Sequence, residues 1–226
     1  MIRRLLKTLL VMSAPGFILF AAPASPAPWN GAIDICLCAA VDDRRIPLVY
    51  EAIRFWNAAL AEAGAPLQFG AVHQRPLSEL EAALTQMSAG KLRSHETLPY
   101  PSFMGDMEHD LLIILSDADI VSFTEHWEER SRAVIVIKSD KVHPLSLPNV
   151  TRNVIAHEMG HIIGLGHNSD ETRLMCGRPA PCRPEDFASS QPRFLPLTEE
   201  EKNLLRRLYG NSEEQAELLS STPSTE

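Results

Sequence analysis

The order of segments along this chain predicts one domain of α+β type, helices sandwiched on a sheet, with an α/β sandwich as the nearest variant. Three observations carry that reading. Two continuous apolar runs bounded by polar residues, DLLIIL (110–115) and RAVIVIKSD (132–140), suit strands buried on both faces. Segments whose apolar residues recur at helical spacing alternate with strand-like ones. Finally, 226 residues, 45% hydrophobic and 22% charged, suffice for one domain of about 150–200 residues with a real core. No internal repeat is visible.

The elements follow in order. AIDICLCAAV (32–41) has strand composition. IPLVYEAIRFWNAALAEAG places Ile46, Val49, Ile53, Trp56 and Leu60 on one helical face, and Gly64 and Pro66 end that helix. LQFGAV (67–72) reads as a second strand. SELEAALTQMSAG (78–90) reads as a short helix with Ser78 as cap and Glu81 three positions on. Residues 91–110, rich in Pro, Gly and polar side chains, read as a surface loop. A further helix is expected from Asn149, a good N-cap after Pro148, to about Ile163. The last helix, LTEEEKNLLRRLYG, opens with a capping box at Thr198 and Glu201 and closes at Gly210.

Both ends differ in composition from this body. Residues 1–27 read as a secretory signal: Arg3, Arg4 and Lys7 precede a largely apolar run from Leu9 to Ala22, and Ala22, Ala24 and Ala27 offer cleavage sites. As a membrane span the run falls short of the roughly 20 residues required, and Pro15 and Gly16 interrupt it. No membrane span is therefore expected once the signal is removed, and the mature protein belongs outside the cytoplasm, periplasmic or secreted. Residues 211–226 are polar and acidic, a tail that cannot bury enough apolar surface to fold.

A formal charge of −8 with no basic stripe argues against a nucleic-acid partner. Export makes Cys36, Cys38, Cys176 and Cys182 candidates for disulfides; of the three pairings, Cys36 with Cys38 suits bridging geometry least. At least one bridge is expected to involve Cys176 or Cys182. The sequence NVT at 149–151 matches a glycosylation acceptor, although capping explains Asn149 equally well. His73, His95, His109, His126 and His143 are scattered, and each reads as a surface or core residue.

The informative segment is HEMGHIIGLGH (157–167), with Met175 shortly after. On a helix, His157 and His161 are i and i+4 and stack on one face, so both imidazoles reach one ion. Glu158 projects beside that ion without having to bind it. Gly164 can take a left-handed conformation and turn the chain, letting His167 return as a third ligand. Three nitrogen ligands leave a fourth tetrahedral position open, the pattern of a catalytic zinc. Incidental histidines on a helix are the bland alternative, but the added Gly and His make a chance match roughly a hundredfold rarer than a bare HExxH.

This segment resembles the HExxHxxGxxH signature of the metzincin zinc peptidases, with Met175 where their Met-turn falls. Within that clan the chain looks most like the matrixins: LTEEEKNLLRRLYG is similar to their closing helix and YEAIRFWNAAL to their first long helix. The resemblance implies a catalytic domain over 28–210, with a mixed twisted sheet and long helices including the zinc-binding one. It implies that His157, His161 and His167 bind one catalytic zinc, that Glu158 is the catalytic base acting on a zinc-held water, and that Met175 forms a floor. The pocket for the residue after the cleaved bond would be lined by about 174–194. An exported zinc endopeptidase acting as a monomer on protein or peptide substrates follows; a secreted zinc-containing binding module without turnover is the rival. There are departures too. Asn168 stands where astacin-type sequences have Glu, no PRCGxPD-like switch is seen, and the His/Asp-rich segment that holds structural zinc and calcium in vertebrate matrixins is missing, so neither calcium nor a second zinc is expected.

Overall fold

Strand burial and register sort the sequence into one five-stranded sheet. The computed structural model describes residues 29–77, 87–89, 98–105, 107–177, 182, 189 and 191–210. The expected signal, the acidic tail and most of the helix expected at 78–90 lie outside the described residues, though 87–89 are helical. The strands are β1 (Ala32–Ala39), β2 (Gln68–Pro76), β3 (Leu111–Leu115), β4 (Phe123–Trp127) and β5 (Arg132–Ile137), in the spatial order β2-β1-β3-β5-β4. β1 runs parallel to β2 and β3, and β3 runs parallel to β5. β4 alone is antiparallel, and it forms one edge. The sheet is thus mixed, as expected.

Among the described residues, the helices with full bounds are α1 (Ile46–Glu62), α2 (Pro148–Ile162) and α3 (Glu199–Tyr209). The central strands are buried on both sides, which explains their unbroken apolar composition. One side chain set of β1 (Ile33, Ile35, Leu37) joins Trp56 and Leu60 of α1 and Ile155 and Met159 of α2 in the main core. The alternate set, Cys36 and Cys38, packs with Leu112, Ile114, Val134 and Met104 on the other face. Residues 98–110, expected to be a surface loop, contribute a short 3-10 turn at Ser102–Met104, and Met104 is fully buried.

Buried polar side chains lock the layers together. The Trp56 indole donates to the Ala156 carbonyl at 2.8 Å, and Trp29 donates to the Ile162 carbonyl at 2.8 Å. Arg45 is only 1% exposed; its guanidinium donates to the carbonyls of Ser116 and Lys138 at 2.9 Å each, while Asp43 supplies the counter-charge. One side chain therefore ties the ends of β3 and β5 to the start of α1.

Two corrections concern α2 and its neighbour. The helix starts at Pro148 with Leu147 at the N-cap, so Asn149 is not the cap. Asn149 is 2% exposed, and its amide donates to the carbonyls of Ser189 and Gln191. That burial also removes it as a glycan acceptor. β4 was not foreseen at all. Its inward residues Phe123, Glu125 and Trp127 alternate with half-buried ones, but five residues are a weak periodic signal. Among the described residues, no helix is long and apolar enough to cross a membrane.

The α1–α2 contact yields a test. Trp56 is fully buried and hydrogen-bonded, so Trp56→Ala should lower unfolding free energy by about 3–5 kcal/mol in denaturant titration.

Candidate metal centre

His157 and His161 lie one turn apart on α2, and His167 follows the turn that ends it. That turn is built as foreseen. Gly164 has φ +86°, its N–H donates to the His161 carbonyl at 3.1 Å, and the Leu165 N–H donates to the Gly160 carbonyl at 3.0 Å. This paired bonding is a Schellman closure, for which glycine carries no Cβ penalty.

The three imidazoles converge. The Nε2 atom of His161 is 3.1 Å from Nε2 of His157 and 3.1 Å from Nε2 of His167. The opposite ring nitrogens decide what these atoms are. His157 Nδ1 lies 2.8 Å from the Leu174 carbonyl and His161 Nδ1 lies 2.7 Å from the Leu165 carbonyl. A carbonyl can only accept, so both Nδ1 atoms carry a proton, and in the neutral rings both Nε2 atoms present lone pairs. Desolvation, and the repulsion His157 would exert when protonated, hold the His167 pKa below its ordinary value, which favours the neutral ring there. Lone pairs this close repel unless a cation lies between them. The donor set, three imidazoles with backbone carbonyls behind two of them, fits a zinc ion.

Glycines and Met175 shape the surroundings. A Cβ on Gly160 would lie 2.5 Å from the Met175 sulfur and 2.9 Å from the Trp56 ring, so the residue just before His161 has to be glycine for Met175 to sit beneath α2. Met175 is fully buried, and its carbonyl accepts from the Asn168 N–H at 2.9 Å, pinning the chain just after His167. The Asn168 side chain donates to Glu201 at 2.6 Å, and Glu201 also completes the capping box with Thr198 that starts α3. The closing helix thus holds the residue after the third histidine through one carboxylate.

Sequence reasoning missed two sets of side chains. Thr124 on β4 has its hydroxyl 2.8 Å from Glu158 Oε2, fixing that carboxylate from the edge strand. Asn149 and Asn153, one turn apart on α2, hold the backbone at 189–195: Asn153 donates to the Arg193 carbonyl at 3.0 Å and accepts from the Leu195 N–H at 2.8 Å. Neither had a signal beyond a polar residue in an apolar setting. Cys176 and Cys182 lie with sulfurs 2.12 Å apart, at bonding distance. Cys36 and Cys38 are buried and their sulfurs are 4.0 Å apart.

Two cavities flank the histidines. One, about 820 Å³, runs along β4 between Tyr100, Thr124, Trp127 and His161. The other, about 390 Å³, opens beside His157 and Glu158 and is walled by Val154, Leu174, Cys176 and Leu195.

A family model described as matrixin matches residues 49–210, well over half of the 226-residue chain. The chain belongs to the matrixin family. A 57-residue stretch is 37% identical to human matrix metalloproteinase-27, covering 25% of this chain and 10% of that protein, so this matrixin spans only a small part of the curated relative it matches. Among solved structures, archaemetzincin from Methanopyrus kandleri is 18% identical over 79% of this chain and 95% of that one, with a TM-score of 0.41. Metalloproteinase-II from Bacteroides fragilis is 15% identical over 84% of this chain and 56% of that one, with a TM-score of 0.46. Likeness at these scores is too loose to bear on the site.

Gly177 offers a test of this matrixin's third histidine. A Cβ there would fall 2.1 Å from the His167 ring, so Gly177→Ala should push the ring aside. Metal affinity should fall by about 10- to 100-fold in competition with a chelator, the usual effect of disturbing a ligand's support.

Proposed function

We propose that this chain is an exported zinc endopeptidase, with zinc held by His157, His161 and His167 and with Glu158 as the base. The observation that carries the proposal is the convergence of three Nε2 atoms, two of them made acceptors by backbone carbonyls. When bound, zinc supplies Lewis-acid polarisation of a peptide carbonyl and lowers the pKa of a coordinated water.

The remaining work belongs to the chain. Glu158 is 9% exposed and borders the smaller cavity, where its carboxylate takes the proton of the attacking water and returns it to the departing amine. The Thr124 hydroxyl donates to one oxygen of that carboxylate and so orients it. The substrate enters as an extended strand along the outer edge of β4, held by main-chain hydrogen bonds as an added strand. Its residue after the cleaved bond enters the cavity walled by Val154, Leu174 and Leu195, whose apolar surface suits an apolar side chain. A Cys176–Cys182 bridge beside that wall restricts its alternatives.

Export is part of the same proposal. It rests on the arginine-led apolar segment at residues 1–27 and on the Cys176–Cys182 pair, a bridge that persists in oxidising compartments. Residues 28–210 are the catalytic domain and 211–226 an acidic tail, and the enzyme works as a monomer.

Two variants separate the roles. Glu158→Gln keeps size but loses the base, so zinc content should persist while kcat falls by about 10²–10⁴-fold on a peptide library. Unchanged cleavage would remove Glu158 from the mechanism; a wild type that holds zinc and cleaves nothing would favour the binding-module reading. Thr124→Val should keep zinc and lower kcat by about ten- to a hundredfold, since a hydrogen bond to a charged group is lost.

A further inference from the structure

A second group of metal-ligating side chains lies far from the histidine triad in sequence. Asp34 of β1, His73 of β2 and His109, just ahead of β3, bring one carboxylate and two imidazoles to the same place, with ligand atoms within 4.8 Å of one another. Asp34 Oδ2 is 2.8 Å from His109 Nδ1, and Asp34 Oδ1 is 3.2 Å from His73 Nε2. The two imidazole rings stack with centroids 4.7 Å apart. These histidines were read from the sequence as scattered; 36 positions separate them, and the parallel pairing of β2, β1 and β3 closes that gap.

The protein alone satisfies this group only in part: Asp34 Oδ2 and His109 Nδ1 are hydrogen-bonded to each other. Among the described residues, three buried side-chain polar atoms have no hydrogen-bond partner, and two of them are Asp34 Oδ1 and His109 Nε2. His109 is 7% exposed, so its ring lies away from bulk solvent. Asp34 Oδ1 and His73 Nε2 approach to 3.2 Å without meeting hydrogen-bond geometry, a separation that two ligands of one ion can also have. Concentrated unmet polar atoms in a native fold call for a missing ion or solvent.

A backbone irregularity puts His73 there. Ile33 pairs with Phe69 but Ile35 pairs with Val72, so β2 carries one extra residue opposite Asp34. Without that bulge His73 would align with Leu37, whose side chain enters the helix-side core. With it, His73 aligns with Cys36 and so shares the face of Asp34, because side chains alternate along a strand. Bulges re-aim side chains in this way at functional positions.

We propose that Asp34, His73 and His109 form a second metal site, which binds a divalent transition ion of the zinc type and clamps β2, β1 and β3 together. Two imidazole nitrogens and one carboxylate oxygen are the borderline donors such an ion prefers over calcium or magnesium. The half-exposed His73 and Asp34 leave room for water to complete the coordination. The clamp acts where the sheet most needs it, since β2 is an edge strand whose outer half is largely exposed. This site is independent of the catalytic proposal and lies on other residues.

The test compares zinc content of the full wild-type chain with that of His73→Ala and Asp34→Asn, after zinc loading and gel filtration against a chelator of micromolar affinity. His73 is the solvent-facing member, so its removal spares the buried packing. The proposal predicts two equivalents in the wild type, one in each variant, and a lower Tm of zinc-loaded His73→Ala than of zinc-loaded wild type. A wild type with one equivalent that His73→Ala abolishes would keep this site and count against the triad. Zinc content identical in wild type and both variants would overturn the proposal.

Discussion

Two acceptor nitrogens facing each other at 3.1 Å are the constraint on which the rest of this structure depends. Imidazole lone pairs repel at that distance, and either ring could escape by switching tautomer. The Leu174 and Leu165 carbonyls prevent the switch because each requires an N–H at Nδ1. The fold therefore spends backbone acceptors to hold an electron-rich cluster that only a cation relieves. Protein built this way is organised for an ion before the ion arrives.

Much of the scaffold exists to keep that cluster in place. Gly160 lets Met175 lie directly under α2, Gly164 turns the chain, and Gly177 makes room for the His167 ring. Each is a site where a single methyl group would meet either a ring, a sulfur or an unfavourable backbone angle. Farther out, Trp56 fixes α1 against α2 and Glu201 links α3 to Asn168. The histidine site and the closing helix are thus one connected structure, and the matrixin match likewise runs to residue 210.

The sequence revealed what is local. The histidine spacing, the Gly164 turn, the Thr198–Glu201 capping box and the buried runs of β3 and β5 all depend on residues within one or two turns or one strand, and all are found where expected. It failed where meaning depends on distant pairing. Thr124 matters because β4 lies beside α2, and no five-residue pattern announces that. Asn149 looked like a cap because it follows a proline; the helix starts one residue earlier, and its amide serves the 189–191 backbone instead. His73 joins Asp34 only because one extra residue in β2 inverts its facing.

The central claim is that one ion is held through Nε2 of His157, His161 and His167. A crystal structure of the zinc-loaded chain, with anomalous data at the zinc edge, tests it most directly. The expected result is a peak about 2.0–2.1 Å from all three Nε2 atoms, with Nδ1 of His157 and His161 still on their carbonyls and a fourth position open. Ligation through Nδ1, or a zinc that leaves out any of the three histidines, would contradict the account.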